Sequence, residues 1–263
     1  MSKLTKAQAK AHTQACELLQ KDTLSEDDKF FVLENWQESA SHINSAAGAF
    51  FTPLDLAIDF AIELGPGRII DLCAGIGMLS FATKIRQQSN GPLDLTCVEI
   101  NPDYVAVGKK ILPEANWICA SVFDVVSMNL GRFDTAMSNP PFGAVKRQKH
   151  ERGPVYTGAD FEFHVIDIAS QIAEYGVFIV PQMSAGFEFS GKPCYRRQTS
   201  GKAFEFQSKT GMHFEAGCGI DTSIHQKSWR GVSPLCEVVC IEFSQMEVGA
   251  PAMDQPDLFG DAA

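Results

Sequence analysis

The spacing of apolar and polar residues divides the chain into stretches of different character. Up to residue 45 the pattern is helical. Residues 4–20 and 25–40 read as two helices, the second opened by Ser25 with Glu26, Asp27 and Asp28 at the positive end of the helix dipole. Phe30, Phe31, Leu33 and Trp36 give it a mixed apolar face. Leu54 to Leu64 reads as a further helix, stopped by Gly65-Pro66-Gly67. From there strands and helices alternate. Strands are expected at Arg68 to Leu72, Asp94 to Ile100, Trp117 to Ala120, Phe133 to Ser138 and Val177 to Pro181. Helices are expected at Met78 to Gln87, Asp103 to Ile111 and Phe161 to Glu174. This alternation predicts an α/β domain with a mostly parallel sheet covered on both faces. Residues 183–233 are polar, glycine-rich and irregular in pattern, and Leu235 to Phe243 reads as a last, antiparallel strand. Residues 246–263 are acidic, carry Pro251 and Pro256, and read as a disordered tail. The expected organisation is a helical segment over 1–45, a main domain over 46–245 with an insertion at about 183–233, and a tail over 246–263.

Composition narrows the class. The 263 residues are 45% apolar and 21% charged, enough for one α/β domain with a packed core and extensions. No apolar run approaches the roughly 18 residues that a membrane span needs. The first residues lack the apolar stretch of a signal peptide, so a cytoplasmic location is expected. Eight cysteines form no Cys-x-x-Cys pair, and several sit in apolar runs such as Leu95-Thr96-Cys97-Val98. Buried reduced thiols are the expectation, with no metal site.

The net charge of −10 argues against a generic nucleic-acid coat, but the charge is uneven. Residues 143–152 hold Lys146, Arg147, Lys149 and Arg152 against Glu151, a local +3, and residues 183–233 are also net +3. Two solvated loops would explain this equally well; a rim that contacts phosphates is the functional reading.

Chemistry-bearing residues follow the strands. Asp71-Leu72-Cys73-Ala74-Gly75-Ile76-Gly77 comes directly after the first strand, where glycines let the backbone turn tightly and approach a ligand at a helix start. A lone Gly-x-Gly also suits an ordinary strand-to-helix turn. Glu99, 24 residues beyond Gly75, ends the second strand, where an acid can bind both hydroxyls of a ribose. Asp124 follows the third strand, where an adenine amino group could be read. This order of motifs resembles the class I S-adenosylmethionine-dependent methyltransferases over roughly residues 46–243. The resemblance implies a seven-stranded, Rossmann-like sheet with S-adenosylmethionine as cofactor. It implies that Asp71 holds the methionine amino group, Ala74, Gly75 and Gly77 form a backbone cradle, Glu99 binds the ribose, Ile100 packs on the adenine and Asp124 meets its amino group. A nucleotide dehydrogenase is disfavoured because Met78, Leu79 and Ser80 follow Gly77 where a third glycine would stand.

Asn139-Pro140-Pro141-Phe142 closes the fourth strand, 68 residues after Asp71. An aromatic amine is a poor nucleophile because its lone pair is delocalised into the ring. Two acceptors placed on its two N–H bonds, the Asn139 side-chain oxygen and the Pro140 carbonyl, can draw that pair out of conjugation. Consecutive prolines fix the backbone and pre-aim the carbonyl. Phe142 offers a face on which a flipped base can stack. Upstream, Gly48-Ala49-Phe50-Phe51-Thr52-Pro53 resembles the Phe-x-x-Pro-like element of amino-methyltransferases, which implies that Phe51, Thr52 and Pro53 pack on the cofactor. Asparagine as the first motif residue resembles the N6-adenine enzymes; serine there would point to N4 of cytosine.

The order of motifs resembles bacterial, plasmid and phage DNA N6-adenine methyltransferases, although the chain has no room for the large recognition domain usual in restriction systems. Gly143, Gly158-Ala159-Asp160 and Phe163 also resemble the compact RNA adenine methyltransferases. Glutamine N5-methyltransferases of release factors share an Asn-Pro-Pro-aromatic motif, usually with tyrosine, and Phe51-Thr52-Pro53 fits them poorly. A non-catalytic nucleic-acid- or clamp-binding protein on the same fold would have no need of Asp71, Gly75, Gly77, Glu99 and Asn139 together. In the tail, Gln255-Pro256-Asp257-Leu258-Phe259 resembles the Gln-x-x-Leu-Phe peptides that bind the bacterial sliding clamp. It implies such a partner through Gln255, Leu258 and Phe259, and with it DNA as substrate; a merely solubilising tail would contain the same residues by chance.

Overall fold

The computed structural model describes residues 5–37, 50–148 and 150–244. Lys149 and the tail residues Gln255, Leu258 and Phe259 lie outside them. Two helices come first, α1 (Lys6–Leu18) and α2 (Glu26–Asn35), each opened by a reciprocal capping box, Thr5 with Gln8 and Ser25 with Asp28. α3 (Leu54–Phe60) continues into a short 3₁₀ turn, Ala61–Glu63. The alternating region then supplies β1 (Gly67–Leu72), α4 (Met78–Gln87), β2 (Leu93–Glu99), α5 (Pro102–Ile111), β3 (Asn116–Cys119), β4 (Phe133–Ser138), α6 (Phe161–Ile172) and β5 (Ala173–Pro181). After β5 come a two-residue pair, β6 (Phe187–Glu188) and β7 (Arg196–Arg197), then α7 (Lys202–Thr210) and β8 (Cys236–Glu242).

The central sheet has the order β3-β2-β1-β4-β5-β8, parallel throughout except for β8, which runs antiparallel to β5 from Tyr175↔Glu242 to Pro181↔Cys236. Strict alternation sends side chains to two cores. Ile69, Met137, Val177, Ile179, Val238 and Cys240 meet α3, α4 and α5 on one face. Ile70, Ala136, Phe178, Val180, Val239 and Ile241 meet α6 and α7 on the other. The strands are apolar on both sides because both faces are covered. This is the Rossmann-like class I methyltransferase fold.

Three expectations are corrected in detail. Six strands form the sheet among the described residues, where seven are expected. Beside β8, a seventh strand's place is held by Glu215 alone, which exchanges both backbone hydrogen bonds with Cys240, at 3.0 and 2.8 Å. Left-handed backbone at Gly217 and Gly219 ends the pairing there. Secondly, α6 stops at Ile172 and β5 begins at Ala173 with no loop between, because Ala173 already pairs with Phe133. Thirdly, residues 183–233 are not irregular throughout. α7 lies within them, and Phe187, Phe206, Met212 and Phe214 are buried in the second core.

The cysteines are all free; Cys97, Cys236 and Cys240 are buried as expected of thiols in apolar runs, whereas Cys119, Cys194 and Cys218 are exposed. No helix of the described residues is long and apolar enough to cross a membrane. No group of three or more His, Cys, Asp or Glu among them is placed to hold a metal ion.

Candidate active site

The carboxyl ends of β1, β2 and β4 converge on one cavity of about 230 Å³. Its walls include Phe51, Gly75, Glu99, Ile100, Asn139 and Pro141. A narrower recess behind it reaches Asp71, Ala74 and Thr52, and shares Phe51, Gly75 and Asn139 with the larger space. The parallel topology explains the meeting. Neighbouring strands end side by side, and each end turns outward into a crossover.

The β1 corner is built from buried carboxylates and backbone. Asp71 is buried, and its Oδ2 accepts from Ser80 Oγ at 2.7 Å. Its Oδ1 is buried with no partner. Burial pushes the Asp71 carboxyl up to about 7, against the Ser80 hydrogen bond that lowers it, and the nearby Glu99 charge raises it further. Such a group calls for a cation. Glu99 accepts from the backbone amides of Gly75 at 2.9 Å and Asn101 at 2.8 Å, and burial also raises its pKa. Each of its oxygens keeps a lone pair for a hydroxyl donor. Gly75 adopts φ 58°, and a Cβ there would stand 3.2 Å from the Phe51 ring. Gly77, at φ 90°, caps α4, and its Cβ would press on Trp117 at 3.1 Å. Ile100 is 66% exposed at the cavity edge, a large apolar side chain with a free face.

The β4 end presents Asn139. Both its amide hydrogens are used, Nδ2 donating to Phe50 O at 3.1 Å and to Thr52 Oγ1 at 2.9 Å. Turning the amide over would set its oxygen against the Phe50 carbonyl, so the network fixes the orientation. The Asn139 Oδ1 is thereby left as the acceptor. Behind the motif, Gly143 N donates to Glu162 Oε2 at 2.8 Å, and Phe161 N donates to Gly143 O at 2.8 Å.

The remaining expected residues are placed less directly. Pro53 stands at the N-cap of α3, and Gly77 shapes the turn rather than lining the cavity. Pro140 is buried, and Phe142 is half-buried against the first core rather than in the cavity wall. Asp124 is exposed, while its neighbours Ser121, Val122 and Phe123 line the cavity. Sequence reading passed over Phe123, and Tyr104 too. Tyr104 packs against Phe51 with ring centroids 5.1 Å apart and against Trp36 at 5.6 Å, so α2's end buttresses the Phe51 ring in the cavity wall. An isolated aromatic on a helix carries no signal of this; only the helical spacing of α5 hinted at burial.

Residues 43–153 match the family model described as the methyltransferase small domain. No curated protein matches the chain in sequence. Among solved structures, a class I S-adenosylmethionine-dependent methyltransferase from Listeria monocytogenes is similar at TM-score 0.57 and 11% identity, over 89% of this chain and 73% of that one. The M protein of the type I restriction enzyme EcoKI is similar at TM-score 0.52 and 14% identity, over 90% of this chain and 54% of that one. The methyltransferase subunit of a type I restriction-modification system from Streptococcus thermophilus gives 0.51 and 12%, over 81% and 49%. The chain thus spans about half the length of these two restriction-system proteins. The orphaned Asp71 oxygen, the tightly packed glycine turn and the Glu99 carboxylate fit S-adenosylmethionine, and the strand order is that of the class I methyltransferase fold.

Proposed function

We propose that the protein transfers a methyl group from S-adenosylmethionine to N6 of adenine in DNA. The observation that carries this reading is the fixed Asn139 amide, whose oxygen is the one polar group of the side chain not spent on the protein. When bound, S-adenosylmethionine supplies an electrophilic sulfonium methyl. Asp71 would hold its ammonium group, the backbone at Ala74 and Gly75 its carboxylate end, and Glu99 the ribose hydroxyls. Ile100 and Phe123 flank the space for an adenine ring.

On the other side, Asn139 Oδ1 and the Pro140 carbonyl accept the two N–H bonds of the target amine. That localises the nitrogen lone pair toward the attack line. Their benefit grows as the nitrogen rehybridises, so they act on the transition state rather than on binding alone. The new N–C bond would form as the sulfonium C–S bond breaks, leaving the neutral thioether, and one N–H proton of the methylated amine would pass to solvent. Similarity of fold to methyltransferase subunits of restriction-modification systems is in keeping with a nucleic-acid target, and the order of motifs, which resembles the DNA N6-adenine enzymes, supports DNA.

The test is incubation with radiolabelled S-adenosylmethionine and duplex DNA, single-stranded DNA, RNA or protein, followed by nucleoside and amino-acid analysis. N6-methyladenine in DNA is expected. Label confined to RNA adenine would move the assignment to RNA, and label in glutamine would overturn it.

A further inference from the structure

Next to the active-site cavity lies a second, open concavity of about 520 Å³. Its polar lining is Lys146, Arg147, Gln148, Arg152 and Thr157, every one able to donate a hydrogen bond, and no carboxylate among the described residues lines it. In a chain of net charge −10 this is a locally positive surface. Lys146 and Arg147 also line the cavity that ends on Asn139, so the two spaces adjoin. S-adenosylmethionine carries no phosphate, and its carboxylate lies at the Asp71–Gly75 end in the reading above. The cofactor therefore does not account for this surface.

The cations are not equivalent. Arg147 donates through Nη1 to Glu151 O at 2.7 Å and through Nη2 to Gly158 O at 2.6 Å, so its guanidinium clamps the loop that roofs the cavity. Glu151, the only acid of residues 143–152, has its carboxylate on the Gln148 amide at 2.6 Å. Lys146 and Arg152 are exposed, and neither makes an ion pair among the described residues. We infer that Lys146 and Arg152, with the Thr157 hydroxyl and the Gln148 side-chain amide beside them, hold a backbone phosphodiester of the DNA next to the target nucleotide, and that Arg147 is a structural clamp rather than a phosphate contact. This rests on the DNA reading above and adds which side chains fix the strand against Asn139.

The experiment measures DNA binding by fluorescence anisotropy across a salt series, using the full chain with S-adenosylhomocysteine present. Lys146→Ala with Arg152→Ala should lower the log–log salt slope by about 1.4–1.8, two contacts at roughly 0.7–0.9 each. Lys109→Ala, an exposed lysine on α5, should leave it unchanged. Cofactor affinity by calorimetry and the melting temperature should stay at wild-type values in the double variant, since both side chains are exposed. An unchanged slope, or an equal fall with Lys109→Ala, overturns the site. Adenosine monophosphate and inorganic phosphate serve as competitors. If they bind in a Lys146- and Arg152-dependent way and DNA does not, the ligand is a free phosphate and the phosphodiester assignment fails. If the slope changes only with RNA, the DNA commitment fails. A slope change with DNA but no methylation of any nucleic acid would leave this site standing and remove the proposed activity instead.

Discussion

Two crossovers build the site, and they are made differently. The one from β1 to α4 has five residues, Cys73 to Gly77; the one from β4 to α6 has twenty-two, Asn139 to Asp160. The short one is shaped by its own residues. Gly75 and Gly77 take left-handed backbone, and Glu99 of the adjacent strand locks the Gly75 amide. The long one is shaped by the helix that follows it. His164 Nδ1 accepts from Gly153 N at 2.9 Å, and its Nε2 meets Gly158 O at 3.0 Å. Asp167 Oδ2 accepts from Val155 N and Tyr156 N, both at 2.7 Å, and Glu162 holds Gly143. A five-residue turn has few conformations to lose, so local residue choice suffices; a twenty-two-residue loop needs many fixed points. The β1 corner, proposed to hold the cofactor, is thus a local device, and the β4 side, proposed to face the target, is a loop held by buried side chains.

The sharpest way to break this comparison is Asn139→Ala. Turnover should fall by about two to three orders of magnitude, while S-adenosylhomocysteine affinity, measured by calorimetry, stays near wild type. Near-normal turnover would remove Asn139 from the chemistry.

Acid should act on the two crossovers with opposite sign. Burial lowers His164 to about 4, with the Arg147 charge adding, whereas the unfolded imidazole titrates near 6.5. Its contribution is therefore intact above pH 6.5 and lost as pH falls toward 4. Asp71, raised to about 7, works the other way, since the folded protein holds a proton that the unfolded chain releases above its ordinary 3.8. Its destabilising effect is full at pH 8 and relieved as pH falls below 7. In urea titrations from pH 8 to 5, His164→Asn should shift the change in stability on acidification toward gain, and Asp71→Asn should shift it toward loss. Equal slopes in both variants would mean that these groups do not set the pH response. Because a bound ammonium favours the charged carboxylate, cofactor affinity should also rise with pH through about 7.

Gly75→Ala comes next. It forces an alanine into left-handed backbone at a cost of roughly 1–2 kcal/mol and against the Phe51 ring. Cofactor affinity should fall about tenfold with DNA affinity unchanged, whereas a merely loosened long loop would do the reverse. The smallest effect is expected from Thr52→Val, which removes one of the two acceptors holding the Asn139 amide. A loss of several-fold in turnover without change in cofactor affinity is expected from a bond worth about 1 kcal/mol.

What the sequence by itself determined is the local part. The alternation from Arg68 to Pro181, the acid-and-glycine turn after β1, the acid ending β2 and the Asn-Pro-Pro-Phe end of β4 all depend on residues close together in the chain, where pattern and turn chemistry are readable. Tertiary structure decided the rest. At the buried Asp71, α4 brings Ser80 onto Oδ2, while Oδ1 is left without a partner. Asn139 is aimed by Phe50 and Thr52, 89 and 87 residues earlier. Arg147, legible only as a positive charge, turns into a loop clamp because the carbonyls of Glu151 and Gly158 converge on it. Sheet edges behave likewise: whether a seventh strand forms beside β8 rests on how Glu215 meets Cys240 and not on any run of apolar residues. Each of these contacts joins groups whose spacing in sequence carries no period, so only the folded chain can specify them.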